Sequence, residues 1–342
     1  MGKRNIFVIG ASAGGFDALR TIVKGLPPDL DASIFIVWHI GTDTRGLLPE
    51  VLNKLGTIHA ANARDYESIK SNRIYVAPPD HHLLVEEGQV RLTKGPKENR
   101  FRPAIDPLFR SAAYTYGNRV TGIILSGGLD DGTAGLWRIK DSGGIAVVQD
   151  PKDAEVPSMP ENALRAVTID YCLPIDEIAN LIVKLSSEYV TEELNSKDGN
   201  TKIEIDIAAG RSSLSRNSLD LGILSPYSCP ECHGVLAKIV DGKLTRFRCH
   251  TGHAYSPDTL IATLTQKVED SLYSAMRGMD ESVFLMNHIG DHYAEVNQPK
   301  LAAIYFKKAK DAEQRVKMLR ETIYDHEQLS LGKVVEEAEK EK

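Results

Sequence analysis

Between residues 5 and 185, short apolar runs alternate with segments of helical period, and each run breaks into glycine or small polar residues. Strand-like runs cover 6–10, 34–39, 73–77, 120–126 and 145–148, with a small hairpin at 83–85 and 90–92 around Glu86-Glu87-Gly88. Helix-like segments cover 16–25, 45–53, 107–116, 133–142, 161–166 and 175–187. Strands this continuously apolar must be buried on both faces. The alternation therefore predicts an α/β fold, a mostly parallel sheet with helices on both faces. It also predicts where chemistry gathers, because such sheets place their active groups just beyond the carboxyl ends of the strands.

The rest of the chain differs in kind. Residues 188–224 are rich in Ser, Asn, Asp and Gly and read as a linker. Residues 225–257 form a compact Cys/His segment, 258–330 carry two apolar stripes at helical spacing that predict a helical hairpin turned near Asn297–Pro299, and 331–342 are a charged tail. Residues 1–187 are then the catalytic candidate. The formal charge of -6 is mild and argues against a general nucleic-acid binder. No run of about 18 apolar residues is present, so no membrane insertion is expected. The first residues lack the apolar core of a signal peptide and, with Ile6 at the sixth position, the pattern for myristoylation. A cytoplasmic protein is the expectation.

Gly10-Ala11-Ser12-Ala13-Gly14 links the first strand to the first helix and fits G-x-S-x-G. Small residues on either side allow a sharp reversal that exposes the serine, and amides at the helix start can hold an oxyanion. Ser12 can thus be read as a nucleophile, a phosphate contact or a small residue in a tight turn. A dinucleotide site would want glycine where Ser12 stands and an acidic residue at the end of the second strand, which closes instead on Trp38-His39. A third strand runs into Ser126-Gly127-Gly128-Leu129-Asp130-Asp131-Gly132. Asp131 there has an ordinary alternative role as a helix cap. Taken together, Ser12, His39 and Asp131 would lie on one sheet edge as nucleophile, base and orienting carboxylate. Their chain order differs from that of α/β-hydrolases, so the constellation belongs to another fold.

The segments VIGASAGG, WH, RPAIDPLF, ILSGGLDDGTAG and PSMPENAL occur in the order and spacing of the catalytic domain of CheB-type chemotaxis protein-glutamate methylesterases, which residues 4–185 resemble. The resemblance implies a doubly wound sheet and a signal-transduction hydrolase. The enzyme would demethylate methyl-glutamate on chemoreceptor-type proteins, releasing methanol, and in many members also deamidate receptor glutamines. It assigns Ser12, His39 and Asp131 as the triad and the backbones of Ala13 and Gly128 as the oxyanion hole. Arg102, Met159 and Pro160 lie in other matched segments and are candidates to line the cleft, with an ion pair for Arg102 and packing for Met159 as their ordinary roles. No cofactor is needed for these steps. The implied partners are a methylated receptor and a methyltransferase of the same pathway. The sequence departs from the usual pattern at Ala13 (Thr), Phe101 (His) and Asp130 (Asn), and no receiver domain precedes the catalytic segment in it. These departures leave two other readings open: a glutamine deamidase with the same triad, and an adaptor acting through its C-terminal helices.

Cys229, Cys232, Cys249 and His253 give C-x2-C-x16-C-x3-H. Two short pairs of soft ligands suit a closed, structural zinc site of ribbon type, with His233 and His250 in reserve. Lys243, Arg246 and Arg248 flank Phe247, a patch too short to predict a nucleic-acid partner.

Overall fold

The structure is a computed structural model that describes residues 2–39, 46–191, 198–211 and 217–325. Its centre is a seven-stranded parallel sheet. In chain order, β1 (Gly2–Lys3) leads into β2 (Ile6–Ala11), α1 (Gly15–Gly25), β3 (Ser33–Trp38), α2 (Leu48–Leu55), β4 (His59–Asn62) and β5 (Arg73–Val76). The hairpin β6 (His82–Glu86) and β7 (Gln89–Thr93) follows, then α3 (Ile105–Tyr116), β8 (Val120–Ile124), α4 (Thr133–Asp141), β9 (Ile145–Gln149), α5 (Ser158–Ala166), β10 (Tyr171–Leu173) and α6 (Ile175–Ser186). The order across the sheet is β10-β9-β8-β2-β3-β5-β4. β2 lies at the switch point, with β3 on one side and β8 on the other.

The period of two along each strand builds the core. Phe7 and Ile9 of β2, with Ile34 and Ile36 of β3, pack against Leu19 and Ile22 of α1 and Ile178 and Ile182 of α6. Their neighbours Val8, Phe35 and Val37 face the other way, onto Leu108 and Phe109 of α3 and Leu136 of α4. All six residues of β2 are buried, as a doubly covered strand requires.

The polar stretch expected to be a linker contains more structure than its composition predicts. β11 (Tyr189–Val190) pairs with β1, and α7 (Gly199–Ala208) is capped by Asp198, whose carboxylate accepts from the amides of Asn200 and Thr201. Tertiary contacts hold α7: Ile205 and Ile207 are buried, and so is Glu204. The tail at 331–342 lies outside the described residues.

After α8 (Asn217–Asp220) come β12 (Ile223–Ser228), β13 (Val235–Asp241), β14 (Leu244–Cys249) and β15 (Ala254–Tyr255), a four-stranded antiparallel sheet carrying the cysteines. The chain divides into two compact units, residues 1–260 and 261–342, so this Cys/His module belongs with the catalytic candidate. The second unit is a helical pair, the greater part of α9 (Pro257–Glu295) and α10 (Pro299–Tyr324). Tyr293 stacks on Tyr305 and Phe306 lies against Gly290, while Phe284, Leu285 and Met318 are exposed. No described helix is long and apolar enough to cross a membrane.

Candidate active site

Ser12 is the first residue beyond β2, and its amide donates to the Ser126 carbonyl at 3.0 Å. The reversal into α1 runs through Gly14 at φ 70°, where a side chain would collide with Ser126 Oγ and Glu155. His39 is the first residue beyond β3. Its amide donates to the Ala11 carbonyl at 3.0 Å, and the Trp38 indole donates to the Ser12 carbonyl at 3.0 Å. The parallel register Ala11–Trp38 thus sets Ser12 and His39 side by side. Asp131 follows β8 on the other flank, one residue before Gly132, which starts α4 at φ 93°. Three adjacent strands deliver the three expected residues to one edge.

Asp131 is not spent as a helix cap for α4. Its Oδ2 lies 2.8 Å from His39 Nε2 and accepts from the Ile105 amide at 2.7 Å. Its Oδ1 accepts from the Asn99 side chain at 2.8 Å and from the Gly132 amide at 3.0 Å. The Asp106 amide adds a longer contact to Oδ1 at 3.4 Å, so five donors converge on a carboxylate that is 1% exposed. The other imidazole nitrogen, His39 Nδ1, is buried without a hydrogen-bond partner among the described residues. Hence no hydrogen bond joins Ser12 Oγ to the ring here, although the backbone register makes the two residues neighbours. Phe101 stacks on the imidazole with centroids 3.7 Å apart and planes 8° from parallel, which fixes the ring plane.

Two further carboxyls lie beneath Asp131. Burial, reinforced by the charge of Asp131, pushes Asp106 up to about 7; Asp106 accepts from Asn99 at 2.8 Å and from the Gly135 amide at 2.7 Å. Burial also pushes Asp130 up to about 8, although the Ser256 hydroxyl bonds it at 2.7 Å.

The other expected site residues take the following places. Gly128 borders open space, and neither the Ala13 nor the Gly128 amide donates to a backbone carbonyl among the described residues. Met159 is fully buried under Gly127, and its amide donates to the Gly127 carbonyl at 2.8 Å. A side chain on Gly127 would meet Met159 Sδ at 2.1 Å and Ser12 Cβ at 2.8 Å. Pro160 is buried in the first turn of α5 beside Met159. Arg102 is committed to structure: Nε and Nη2 donate to Asp80 at 2.9 and 2.6 Å, and Nη1 donates to the Gly95 carbonyl at 2.9 Å. Its guanidinium therefore braces the 80–102 region, the ordinary role its composition allowed. Asn99, Ser126, Ser256 and Thr259 were not singled out by the sequence, although Asn99 at φ 49° occupies a conformation that favours asparagine.

The expected ligands of the Cys/His segment also converge. One donor atom from each of Cys229, Cys232, Cys249 and His253 lies within 4.8 Å of all the others. Cys232 Sγ–Cys249 Sγ and Cys249 Sγ–His253 Nδ1 are both 3.5 Å, and Cys229 Sγ–His253 Nδ1 is 3.7 Å. A tetrahedron with metal–sulfur bonds of about 2.3 Å has edges of roughly 3.8 Å, so the spacing fits zinc. Thr251 Oγ1 caps the group, 3.0–3.1 Å from Cys249, Cys232 and His253. The reserve ligands stay out of it: the His250 ring packs on Gly234, and His233 forms the turn after Cys232.

Comparison with known proteins agrees with this geometry. The CheB methylesterase family model matches residues 7–182 of the 342. A Leptospira interrogans protein is 44% identical over 179 residues, 52% of this chain and 93% of that one. It carries, as a provisional assignment, the name protein-glutamate methylesterase/protein-glutamine glutaminase. Protein-glutamate methylesterase/protein-glutamine glutaminase 2 of Anaeromyxobacter dehalogenans is 38% identical over 53% of each chain. The crystal structure of the Thermotoga maritima CheB methylesterase catalytic domain matches with a TM-score of 0.52 and 32% identity, over 54% of this chain and 100% of that one. With the parallel sheet, its switch point and the residues gathered there, these matches place the chain in the CheB methylesterase family.

Proposed function

We propose that Ser12, His39 and Asp131 form a catalytic triad that hydrolyses glutamate methyl esters on chemoreceptor-type signalling proteins. The observation that carries this reading is the buried His39–Asp131 pair at 2.8 Å, one strand from Ser12. Asp131 binds Nε2, so Nε2 holds the resting proton and Nδ1 is left as the base. The reading requires Ser12 Oγ to reach Nδ1, a contact that commonly tightens only when substrate binds. His39 then takes the hydroxyl proton as Oγ attacks the ester carbonyl. Asp131 stabilises the imidazolium, and the amides of Ala13 and Gly128 receive the oxyanion. Methanol leaves with the proton from His39; water, activated by the same nitrogen, then releases the glutamate.

The paired names of the relatives favour glutamine deamidation as a second reaction of the same residues. It differs only in the leaving group, ammonia instead of methanol. Methanol release from methylated receptor fragments, compared between the wild type and Ser12→Ala, tests the main reading. Loss in the variant supports it; equal release rejects it. Ammonia release from glutamine-bearing fragments measures the second reaction.

The donor set and spacing of Cys229, Cys232, Cys249 and His253 fit a structural zinc. Bound there, the ion would cross-link β14, the 229–234 turn and the start of β15. Four protein ligands close its coordination, so it supplies folding energy and not a reactive water. Metal analysis after dialysis is expected to give one zinc per chain, falling in Cys249→Ser; a ratio near zero in the wild type removes the proposal.

A further inference from the structure

The Cys/His module reaches into the catalytic centre through one buried side chain. Asn99 is 4% exposed, and its amide uses all of its hydrogen-bonding capacity. Nδ2 donates to Asp131 Oδ1 and to Asp106 Oδ2, each at 2.8 Å. Oδ1 accepts from the Ser256 amide at 3.0 Å and from Thr259 Oγ1 at 3.1 Å. The opposite orientation of the amide would aim a carbonyl at two carboxyls and an NH2 at a backbone amide, so the network admits one arrangement. On one side of Asn99 lies the carboxylate that holds His39. On the other lies the turn that follows metal-site residue His253 by three residues.

The backbone repeats the link. The Asn99 amide donates to the Ala254 carbonyl at 2.8 Å, and the Ala254 amide donates to the Lys97 carbonyl at 3.3 Å. Ala254 is the residue after His253. Between them, Glu98 bonds Arg110 of α3 at 2.9 Å and Arg248 of β14 at 3.0 Å. Arg248 and Arg246 in turn hold Glu204 of α7 at 2.8 and 2.6 Å. Five buried charged side chains therefore fasten the same loop from beneath, and an appended domain with no bearing on the centre would not need them.

We propose that Asn99 is a positioning residue, and that the Cys/His module, through the Ser256–Thr259 turn, sets the orientation of the Asp131 carboxylate and thus of His39. This rests on the triad reading above for its effect on catalysis, but not for its effect on the His39–Asp131 hydrogen bond. Metal loading is then a condition of full hydrolytic competence, although no metal touches the substrate.

The test uses the full chain with its metal content measured, labelled with 15N-histidine. The low-field Nε2 proton of His39, assigned by its loss in His39→Gln, reports on the bond to Asp131, and methanol release gives kcat and KM. Thr259→Val removes one hydroxyl and touches neither His39 nor Ser12. It is expected to shift or broaden the His39 signal and to lower kcat by about 10-fold or more at unchanged KM. Asn99→Ala should do the same more strongly; if it does not fold, Thr259→Val decides alone. Chelation of the metal should reproduce the spectral change, and added zinc should reverse it. An unchanged His39 signal and unchanged kcat in a folded Thr259→Val chain overturn the proposal, as does a His39 signal indifferent to chelation. If Ser12→Ala hydrolyses as well as the wild type, the triad reading fails by itself, and the His39 signal still decides the link.

Discussion

Asp131→Asn is the substitution whose consequences the geometry specifies most fully. Asp131 accepts three donors on Oδ1, the Asn99 amide and the Gly132 and Asp106 N–H groups, and two on Oδ2, Ile105 N–H and His39 Nε2. An asparagine amide must turn its NH2 toward one of these groups, leaving at least two buried donors facing a donor. At about 1–3 kcal/mol for each unsatisfied buried group, the fold loses about 2–6 kcal/mol. If the NH2 takes the Oδ2 position, His39 must present a lone pair at Nε2, and its proton moves to Nδ1. The ring then has no base on the side of Ser12. A wrong tautomer of this kind costs about 10^4 in kcat in a serine protease triad, and the same order is expected here. The assay is methanol release at saturating methylated receptor fragment, with urea denaturation on the same preparation. A folded Asp131→Asn chain that keeps its rate within about 10-fold of the wild type would show that the carboxylate does not set the imidazole's proton.

Gly127→Ala places a methyl group 2.1 Å from Met159 Sδ and 2.8 Å from Ser12 Cβ; it is expected to cost about 1–3 kcal/mol in denaturation and most of the esterase rate, whereas unchanged values would mean that the turn yields freely. Glu98→Gln leaves Arg110 and Arg248 under-compensated in the interior and is expected to destabilise by about 3–5 kcal/mol in urea titration. Burial raises Glu98, but Arg110 and Arg248 outweigh it and hold it at about 2, below the ordinary 4.5. Its stabilisation is therefore present above about 4.5 and is lost as the pH falls through about 2, so Glu98→Gln should flatten the acid limb of the stability profile. Asp130 has the opposite sign. With its folded value at about 8 against an ordinary 3.8, it favours the fold most at low pH and ceases to do so as the pH rises through about 8. Asp130→Asn, neutral at every pH, should be more stable than the wild type at pH ~9 and show a shallower decline from pH ~5, by up to about 1.4 kcal/mol per pH unit; parallel profiles would contradict the assignment.

The parallel sheet was legible because its strands are doubly buried and announce themselves as unbroken apolar runs; β2, β3, β5, β8 and β9 all fall within a residue or two of their expected bounds. β4 and β10 escaped notice. Each lies at an edge of the sheet, where His59–Asn62 and Tyr171–Leu173 carry polar or exposed residues that interrupt the pattern. The polar residues and glycine of α7 suggest a solvated linker, yet Glu204 is polar for a different reason: it neutralises Arg246 and Arg248 in the interior. Composition cannot tell a solvated charge from a buried pair. Ser12, His39 and Asp131 were legible because each follows the carboxyl end of a strand, and Cys229, Cys232, Cys249 and His253 because their spacing is local. Asn99 was invisible to both arguments. Its four side-chain partners lie 7, 32, 157 and 160 positions away, and only the folded chain brings them together.

The departures noted in the sequence acquire physical content in the same way. Phe101 lies flat on the His39 imidazole, where it shields one face of the ring. Asp130, half-buried and bonded to Ser256, is raised to about 8 and so held largely as the neutral acid near neutral pH, close in shape and charge to the asparagine it replaces. Neither change disturbs the His39–Asp131 bond.

The central claim is that Ser12 is the nucleophile and depends on His39. A fluorophosphonate probe with intact-mass and peptide mass spectrometry tests it without any knowledge of the natural receptor. One phosphonyl group per chain on Ser12, with labelling lost in His39→Gln and Ser12→Ala, is the predicted result. A wild-type chain that stays unlabelled while it releases methanol, or a label carried on any other residue, would contradict it.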